Sequence, residues 1–221
     1  LRTPLACLRF GIEAALDAHG EPQKNNMIQR MEKDLEQMEQ MVSAFLGFAS
    51  LDKQRSRLAI KAYPLDLLFV DIKRQATLLA EHNNISIVFK NHAAAQLLMV
   101  DKMWFSRVML NIIGNAVRFA AQQIEVRMQM QDAFILIEIE DDGPGISPEQ
   151  SQNIFKPFVR LETSRNREQG HYGLGLAIAH KVVDWHQGQI SLSTPKSLTG
   201  CCFELKFKQF TRYANFASLN E

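Results

Sequence analysis

The chain has 221 residues, of which 46% are hydrophobic and 22% are charged. These proportions are close to those of folded globular domains, so they exclude a disordered or collagen-like chain. The chain holds 25 lysine and arginine residues against 24 aspartate and glutamate residues, a net charge of +1. Because the overall charge is near zero, it predicts no direct binding to nucleic acid or to an anionic membrane surface.

The cysteine content favours a reducing compartment. The three cysteines, Cys7, Cys201 and Cys202, cannot form a fully paired set, and no cysteine and histidine spacing is typical of a metal site. No apolar run reaches the roughly 18 residues that a transmembrane helix needs. Because the sequence starts at Leu1 rather than at a methionine, we interpret it as the interior of a longer protein.

The first 51 residues predict a helical hairpin. From Leu1 to about Asp17, and again from Asn25 to about Leu51, apolar side chains recur at steps of three and four residues. Residues 19–22 (HGEP) are a turn signal between the two helices. Since each helix carries one narrow apolar stripe, we expect a homodimer in which residues 1–51 of two copies form a four-helix bundle. The alternative is that the hairpin packs on its own downstream domain.

The remainder of the chain predicts an α+β domain. Residues 52–57 are interpreted as a linker, residues 58–210 as one domain and residues 211–221 as a C-terminal tail. Strand and helix patterns are interspersed, which predicts a two-layer sandwich with a mixed sheet and helices on one face. The predicted strands are 58–63, 85–90, 124–131, 134–141, 189–193 and 203–207, and the predicted helices are 65–81, 102–120, 148–155 and 174–186.

Two glycine clusters are candidate ligand sites. Residues 141–145 (DDGPG) follow the predicted strand 134–141, so an acid would lie on a turn where a ligand can approach the backbone. Residues 170–176 (GHYGLGL) open a predicted helix, whose first N–H groups can bind phosphate. Ordinary tight turns are the alternative interpretation of both clusters.

Three polar side chains on the predicted helix 102–120 form a further candidate site. Asn111 and Asn115 are one helical turn apart, and Arg118 follows them. Two amide oxygens beside a cation suit a hydrated Mg²⁺ ion and its triphosphate, because Mg²⁺ prefers oxygen ligands. The alternative is that these are surface or capping asparagines, and that the basic residues between the glycine clusters, Arg160 among them, form a solvated loop.

The chain resembles sensor histidine kinases. The N, G1, F and G2 boxes of that family match, in chain order, Asn111 with Asn115, residues 141–145, Phe155 with Phe158, and residues 170–176. Residues 199–203 (TGCCF) resemble the last glycine box of that family, and residues 1–5 (LRTPL) resemble the end of its H-E-L-R-T-P-L phosphoacceptor box. The chain departs from the family at His171, where a glycine is usual, and at Cys201 and Cys202, where other small residues are usual. The matching positions are Asn111, Asn115, Asp141, Gly143, Gly145, Phe155, Phe158, Gly170, Gly173 and Gly175.

The resemblance implies a Bergerat-type domain that binds ATP and Mg²⁺. Asp141 would accept a hydrogen bond from the adenine amino group, and Asn115 would hold the Mg²⁺ ion. Asn111 and Arg118 would lie at the phosphates, and residues 156–172 would form a mobile lid. The implied nucleotide contacts are Asn111, Asn115, Arg118, Phe119, Asp141, Gly143, Gly145, Ile146, Arg160, Gly170, Tyr172, Gly173, Leu174, Gly175 and Leu176.

The resemblance also implies an activity and its partners. The kinase would phosphorylate a histidine lying two positions before Leu1 and pass the phosphoryl group to an aspartate of a response regulator. Thr3 would then lie one helical turn after that histidine, where its hydroxyl could orient a water molecule that dephosphorylates the regulator; the alternative is that Thr3 caps the turn before Pro4. We expect the cytoplasmic domain of an inner-membrane sensor, which meets the membrane only through a missing N-terminal region.

Two other functions remain open at this point. A hydrolytic ATPase of the gyrase-like superfamily would carry a glutamate at the position of Asn111, and an amide cannot act as a general base. A nucleotide-binding and dimerisation module without kinase activity is the second alternative, since none of the six histidines has the context of the phosphoacceptor.

Overall fold

The computed structural model describes Ile12 and residues 21–159 and 173–210. The described residues divide into two compact units, one ending at Lys53 and the other beginning at Gln54. The boundary lies inside the segment 52–57 that the sequence marks as polar. No described helix is both long enough and apolar enough to cross a membrane.

The first unit consists mainly of the long helix α1 (Glu21–Ala49). This helix is the second helix of the predicted hairpin, and it begins before the predicted start at Asn25. Of the first predicted helix, residues 1–17, only Ile12 is described, and it is helical. Four side chains of the predicted seam of α1 are 41–50% exposed within the single chain: Ile28, Leu35, Val42 and Phe45.

The segment 52–57, which the sequence analysis interprets as a linker, is helical over most of its length. The short helix α2 (Leu51–Arg55) follows α1 after a turn at Ser50. Asp52 lies in its first turn, where a negative charge favours the helix dipole. The segment contains neither proline nor glycine, and lysine, glutamine and arginine are good helix formers, so polarity alone did not indicate a break.

The second unit is an α+β structure with a mixed five-stranded sheet. The sheet order is β2-β4-β5-β7-β6, in which β2 and β4 are parallel and the other neighbours are antiparallel, while β1 and β3 form a separate antiparallel pair. The elements are β1 (Lys61–Pro64), α3 (Leu65–His82), β2 (Ser86–Asn91), β3 (Leu97–Val100), α4 (Lys102–Phe119), β4 (Gln123–Gln131), β5 (Phe134–Asp141), α5 (Pro148–Ser151), α6 (Gly175–Trp185), β6 (Gln189–Ser193) and β7 (Cys202–Lys208).

The two faces of the sheet differ in chemistry. On the central strand β5, Ile135, Ile137 and Ile139 alternate with buried Glu138 and Glu140. The isoleucines lie on the inner face, which packs against the helices: their neighbours on β7 include Phe207, whose ring contacts that of Phe105 on α4 at 5.8 Å. The opposite, outer face carries the glutamates.

Helix α4 begins at a hydrogen-bonded N-cap, and its surface has one apolar stripe and one polar stripe. The Asp101 carboxylate accepts hydrogen bonds from the N–H groups of Met103 and Trp104 at 3.0 and 3.2 Å. One stripe of α4 is apolar and buried, from Trp104 to Val117, and it joins the core. The adjacent stripe carries the polar residues that the sequence analysis singled out.

A half-buried histidine, His186 at the end of α6, is hydrogen-bonded to this cap. The N–H of Asp101 donates to His186 Nε2 at 3.0 Å, and His186 Nδ1 lies 2.7 Å from the Val182 carbonyl oxygen. This arrangement requires the neutral imidazole with its proton on Nδ1. Burial lowers the pKa of His186 and outweighs the Val182 carbonyl and Asp101, which favour the charged form.

Three elements of the second unit differ from the predictions, of which β1 only begins later, at Lys61 rather than at residue 58. Strand β3 was not predicted, because four consecutive apolar residues (LLMV) show no alternation, and the strand is defined by its pairing with β1. Helix α5 ends at Ser151, although the sequence predicts a helix to residue 155. Its capping box at Ser147 and Gln150 fixes the start, and residues 152–158 form turns.

Candidate functional site

The site is centred on Asp141, the last residue of β5, which is only 3% exposed. Its Oδ1 atom accepts hydrogen bonds from the N–H groups of Gly143 at 2.9 Å and Cys201 at 3.2 Å. The residues directly before β7 also pair with the Asp141 main chain. The Gly200 N–H donates to the Asp141 carbonyl oxygen at 2.9 Å, and the Asp141 N–H donates to the Cys201 carbonyl oxygen at 3.0 Å. No described residue donates to Oδ2, so this atom is left as the acceptor for a ligand.

The electrostatics of Asp141 agree with a ligand-binding role. Burial raises the pKa of Asp141, the N–H groups of Gly143 and Cys201 lower it, and Asp142 raises it; the net shift is upward. A carboxylate on a residue that is this deeply buried loses much of its hydration, which is costly unless hydrogen-bond donors replace the water. A ligand that presents an N–H group to Oδ2 would remove this cost, and perturbed carboxylates of this kind are typical of functional sites.

Glycine is required where three chain segments meet at Asp141. A Cβ atom at Gly143 would collide with the Phe119 carbonyl at the end of α4, and a Cβ atom at Gly200 would collide with Asp141 Oδ1. Gly145 adopts a φ of +75°, which side chains rarely allow. The G1-like cluster and the last glycine box therefore contact each other, and both contact the acid.

The polar stripe of α4 lies at the second glycine cluster. Asn111 Nδ2 donates to the Gly175 carbonyl oxygen at 3.2 Å, which links α4 to the start of α6. Asn115 and Arg118 are half-buried on the same stripe, and the Arg118 guanidinium lies 5.3 Å from the centre of the Phe119 ring. The Asn115 amide oxygen is a hard ligand of the kind that Mg²⁺ prefers, so this residue fits the implied metal.

The second glycine cluster forms the beginning of α6. Gly173 has a φ of +69°, and a Cβ atom there would lie 2.6 Å from the Val159 carbonyl oxygen. Leu174 is buried at the N-cap position, and its side chain makes no capping hydrogen bond. Because no side chain of the described residues accepts a hydrogen bond from the first N–H groups of α6, these groups can bind an anion.

The remaining predicted site residues divide into two groups. Ile146 and Leu176 are half-buried within the same unit. Four predicted residues lie outside the described part of the chain: Thr3, Arg160, Gly170 and Tyr172.

The sequence analysis assigned no role to Asp142, which holds the site together. Its carboxylate accepts hydrogen bonds from the N–H groups of Ala121, Gln122 and Gln123 at 2.8, 3.0 and 3.1 Å. Burial acts to raise the pKa of Asp142, but these N–H groups lower it below its ordinary value. Asp142 thereby fixes the end of α4 to the glycine turn. Asp142 occupies the first variable position of the D-x-G-x-G motif, and this position alone does not indicate its main-chain partners.

The two adjacent cysteines act as small neutral side chains. Burial raises the pKa of Cys201 to about 12, and that of Cys202 to about 11. Both thiols therefore stay protonated near neutral pH and are poor nucleophiles. The Cys201 contribution to the site is its main-chain N–H.

The chain matches a known family over the residues that build this site. Residues 100–211, just over half of the chain, match the family described as histidine kinase-, DNA gyrase B-, and HSP90-like ATPase. The matched region begins before α4 and ends after β7, so it includes Asp141 and both described glycine segments.

Curated relatives are sensor proteins of bacteria. The chain is 31% identical over 222 residues to the sensor protein RstB of Escherichia coli K12, covering 99% of this chain and 48% of RstB. It is 30% identical over 190 residues to the sensor histidine kinase CpxA of the same strain, covering 86% of this chain and 41% of CpxA. The chain thus spans less than half the length of these relatives.

Solved structures share the fold. The Acinetobacter baumannii histidine kinase AdeS superposes with a TM-score of 0.67 at 19% identity, covering 95% of this chain and 97% of AdeS. Full-length ShkA in complex with AMPPNP gives the same TM-score at 22% identity, covering 95% of this chain and 44% of ShkA. With its buried acid, its glycine turns and these relatives, the chain belongs to the histidine kinase-, DNA gyrase B- and HSP90-like ATPase family and contains a sensor histidine kinase catalytic domain.

Proposed function

We propose that this chain is the core of a sensor histidine kinase that binds ATP with Mg²⁺ and transfers the γ-phosphoryl group to a histidine. The observation that carries the proposal is the buried Asp141 carboxylate, which has one oxygen occupied by protein donors and the other available. The kinase passes the phosphoryl group to an aspartate of a response regulator. The relatives named above are sensor proteins, which supports this assignment.

Asp141 selects adenine over guanine. The adenine amino group donates a hydrogen bond, whereas guanine presents a carbonyl oxygen at the same position. A carbonyl facing the carboxylate oxygen would leave two acceptors in contact at a buried position. A site built around one buried hydrogen bond rejects the wrong partner by roughly 10⁴-fold, because polar groups remain unpaired.

The phosphates bind at the junction of α4 and α6. The uncapped N–H groups of α6 attract negative charge, and Arg118 adds a cation from α4. When Mg²⁺ is bound, it neutralises the charge that develops during phosphoryl transfer. Asn115 holds the metal through its amide oxygen, and Asn111 orients the start of α6 through its hydrogen bond to the Gly175 carbonyl.

Transfer to histidine is favoured over hydrolysis. The gyrase-like alternative needs a general base at residue 111, but the amide of Asn111 cannot take a proton from water, and its nitrogen donates to Gly175. A neutral imidazole is a competent nucleophile near pH 7, so transfer needs positioning rather than a base. A module without kinase activity is the remaining alternative, and labelling with ATP discriminates it.

Homodimerisation through residues 1–51 completes the proposal. Apolar seam side chains on α1 that are half exposed in one chain, such as Leu35 and Phe45, would be buried in a four-helix bundle. The whole protein is a membrane-associated sensor whose kinase core lies in the cytoplasm, and the Thr3 hydroxyl assists dephosphorylation of the regulator.

The variant Asp141→Asn should weaken ATP binding by about 100-fold or more. The amide oxygen would take the two N–H donors of Gly143 and Cys201, so its NH₂ group would face the adenine amino group. Isothermal titration calorimetry with Mg²⁺ and ATP measures the loss. The control is Asp132→Asn, in the β4–β5 turn at a φ of 54° that asparagine tolerates. Unchanged affinity in Asp141→Asn, or equal affinities of the native protein for ATP and GTP, would refute the adenine assignment.

The variant Asn115→Ala, made in the full-length protein, should abolish labelling from γ-labelled ATP because it removes the metal ligand. Normal labelling of Asn115→Ala would contradict the metal role.

The variant Thr3→Ala should retain labelling but lose dephosphorylation of the regulator, since the Thr3 hydroxyl acts only in the second reaction. Loss of both activities in Thr3→Ala would mean that the substitution damages the helix.

The native chain should be a dimer at micromolar concentration, and Leu35→Glu should shift it toward monomer. A charge on the seam of α1 would be buried without a partner in the bundle. Multi-angle light scattering measures the mass. The control is Gln29→Glu, which adds the same charge to an exposed polar position of α1. A monomeric native chain, or equal dissociation of both variants, would count against the bundle.

A further inference from the structure

The outer face of the sheet holds a buried charged cluster that has no part in the proposed chemistry. Glu138 and Glu140 on β5 are 0% and 1% exposed. Arg127 on β4 lies opposite Glu138 and reaches both carboxylates, at 3.3 and 3.5 Å. Such a cluster is costly to bury, so each carboxylate must be saturated with donors.

The donors come from the β6–β7 loop, residues 194–201. Glu140 accepts three main-chain hydrogen bonds from it, from the N–H groups of Lys196 at 3.1 Å, Ser197 at 2.8 Å and Leu198 at 3.2 Å. The side chains of the loop bind the same cluster: Lys196 Nζ lies 2.5 Å from Glu138, and Ser197 Oγ accepts from Arg127 at 2.7 Å. Three converging N–H groups make Glu140 the main anchor of the loop.

The end of the same loop forms part of the candidate site. Gly200 and Cys201 follow the anchored residues directly, and they contact the carboxylate and main chain of Asp141. Glu140 and Asp141 are consecutive residues of β5, so their side chains point to opposite faces of the sheet. One loop is therefore held by Glu140 on the outer face and delivers its N–H donor to Asp141 on the inner face.

We propose that Glu140 is a positioning residue for nucleotide recognition: by fixing residues 196–198, it keeps the Cys201 N–H on Asp141 Oδ1 and leaves Oδ2 for adenine. The proposal rests on the proposed binding of adenine at Asp141. Glu140 would then contribute to the recognition of adenine without contacting the base.

The charge state of Glu140 supports this role. Burial acts to raise the pKa of Glu140, but the N–H groups of Ser197, Lys196 and Leu198, together with Arg127, lower it below its ordinary value. The carboxylate is therefore ionised at neutral pH, and charge-assisted hydrogen bonds are the strongest kind available to hold a loop. If the loop lifted away, two buried carboxylates would lose donors at once.

The test is Glu140→Gln in the full chain. Glutamine keeps one acceptor oxygen and places an NH₂ group against loop N–H donors, so the loop should loosen. We expect ADP affinity, measured by calorimetry with Mg²⁺, to fall about tenfold, and the preference for ADP over GDP to narrow. The control is Glu204→Gln, a carboxylate on the same outer face whose ion pair in the described structure is with Lys206 at 3.0 Å; it should bind ADP like the native chain.

Amide hydrogen exchange separates positioning from general destabilisation. In Glu140→Gln, the amides of Gly200 and Cys201 should exchange faster while those in the middle of β4 and β5 stay protected. If Glu140→Gln does not fold, Ser197→Pro applies the same test, since it removes one loop donor and leaves the buried carboxylate in place. A folded variant that binds ADP like the native chain would overturn the inference. A native chain that binds no ADP would instead refute the proposed function, and the exchange of Gly200 and Cys201 would still report whether Glu140 holds the loop.

Discussion

A carboxylate buried at the end of a central strand must be given hydrogen-bond donors, and the catalytic unit is built around meeting this need at Asp141. Two N–H groups, from the glycine turn that follows the strand and from the β6–β7 loop, converge on one oxygen. Only glycine at residues 143 and 200 allows such a close approach of three chain segments. The second oxygen is left without a donor from the described chain, which is the physical basis of the adenine recognition that we propose.

The parts of the site are fixed to one another by a few polar contacts made across the fold. Asp142 holds the end of α4 against the glycine turn, and Asn111 holds the start of α6 against α4. In the proposed complex, the positions of the base and of the phosphates would both depend on α4, whose own start is fixed by Asp101 and His186. Displacement of α4 would change both halves of the site together.

The sequence was sufficient to predict the strands and helices whose buried apolar residues alternate or recur at helical spacing. Strands 134–141 and 189–193 have the predicted bounds, and the mixed sheet with its helices follows from them. It did not reveal β3, which depends on a partner strand, or α2, whose polar residues resemble a linker. The Asp141 motif could be found from spacing. The roles of Asp142 and Glu140 could not, because they arise only when distant main-chain N–H groups meet a carboxylate. The placement of Thr3 and Arg160 stays a prediction.

The central claim concerns one hydrogen bond, and a crystal structure with bound ADP and Mg²⁺ tests it most directly. The account predicts that the adenine amino nitrogen lies at hydrogen-bonding distance, about 2.9 Å, from Asp141 Oδ2, while Oδ1 keeps the N–H groups of Gly143 and Cys201. An adenine ring bound away from Asp141, or one that displaces the Cys201 N–H from Oδ1, would contradict it.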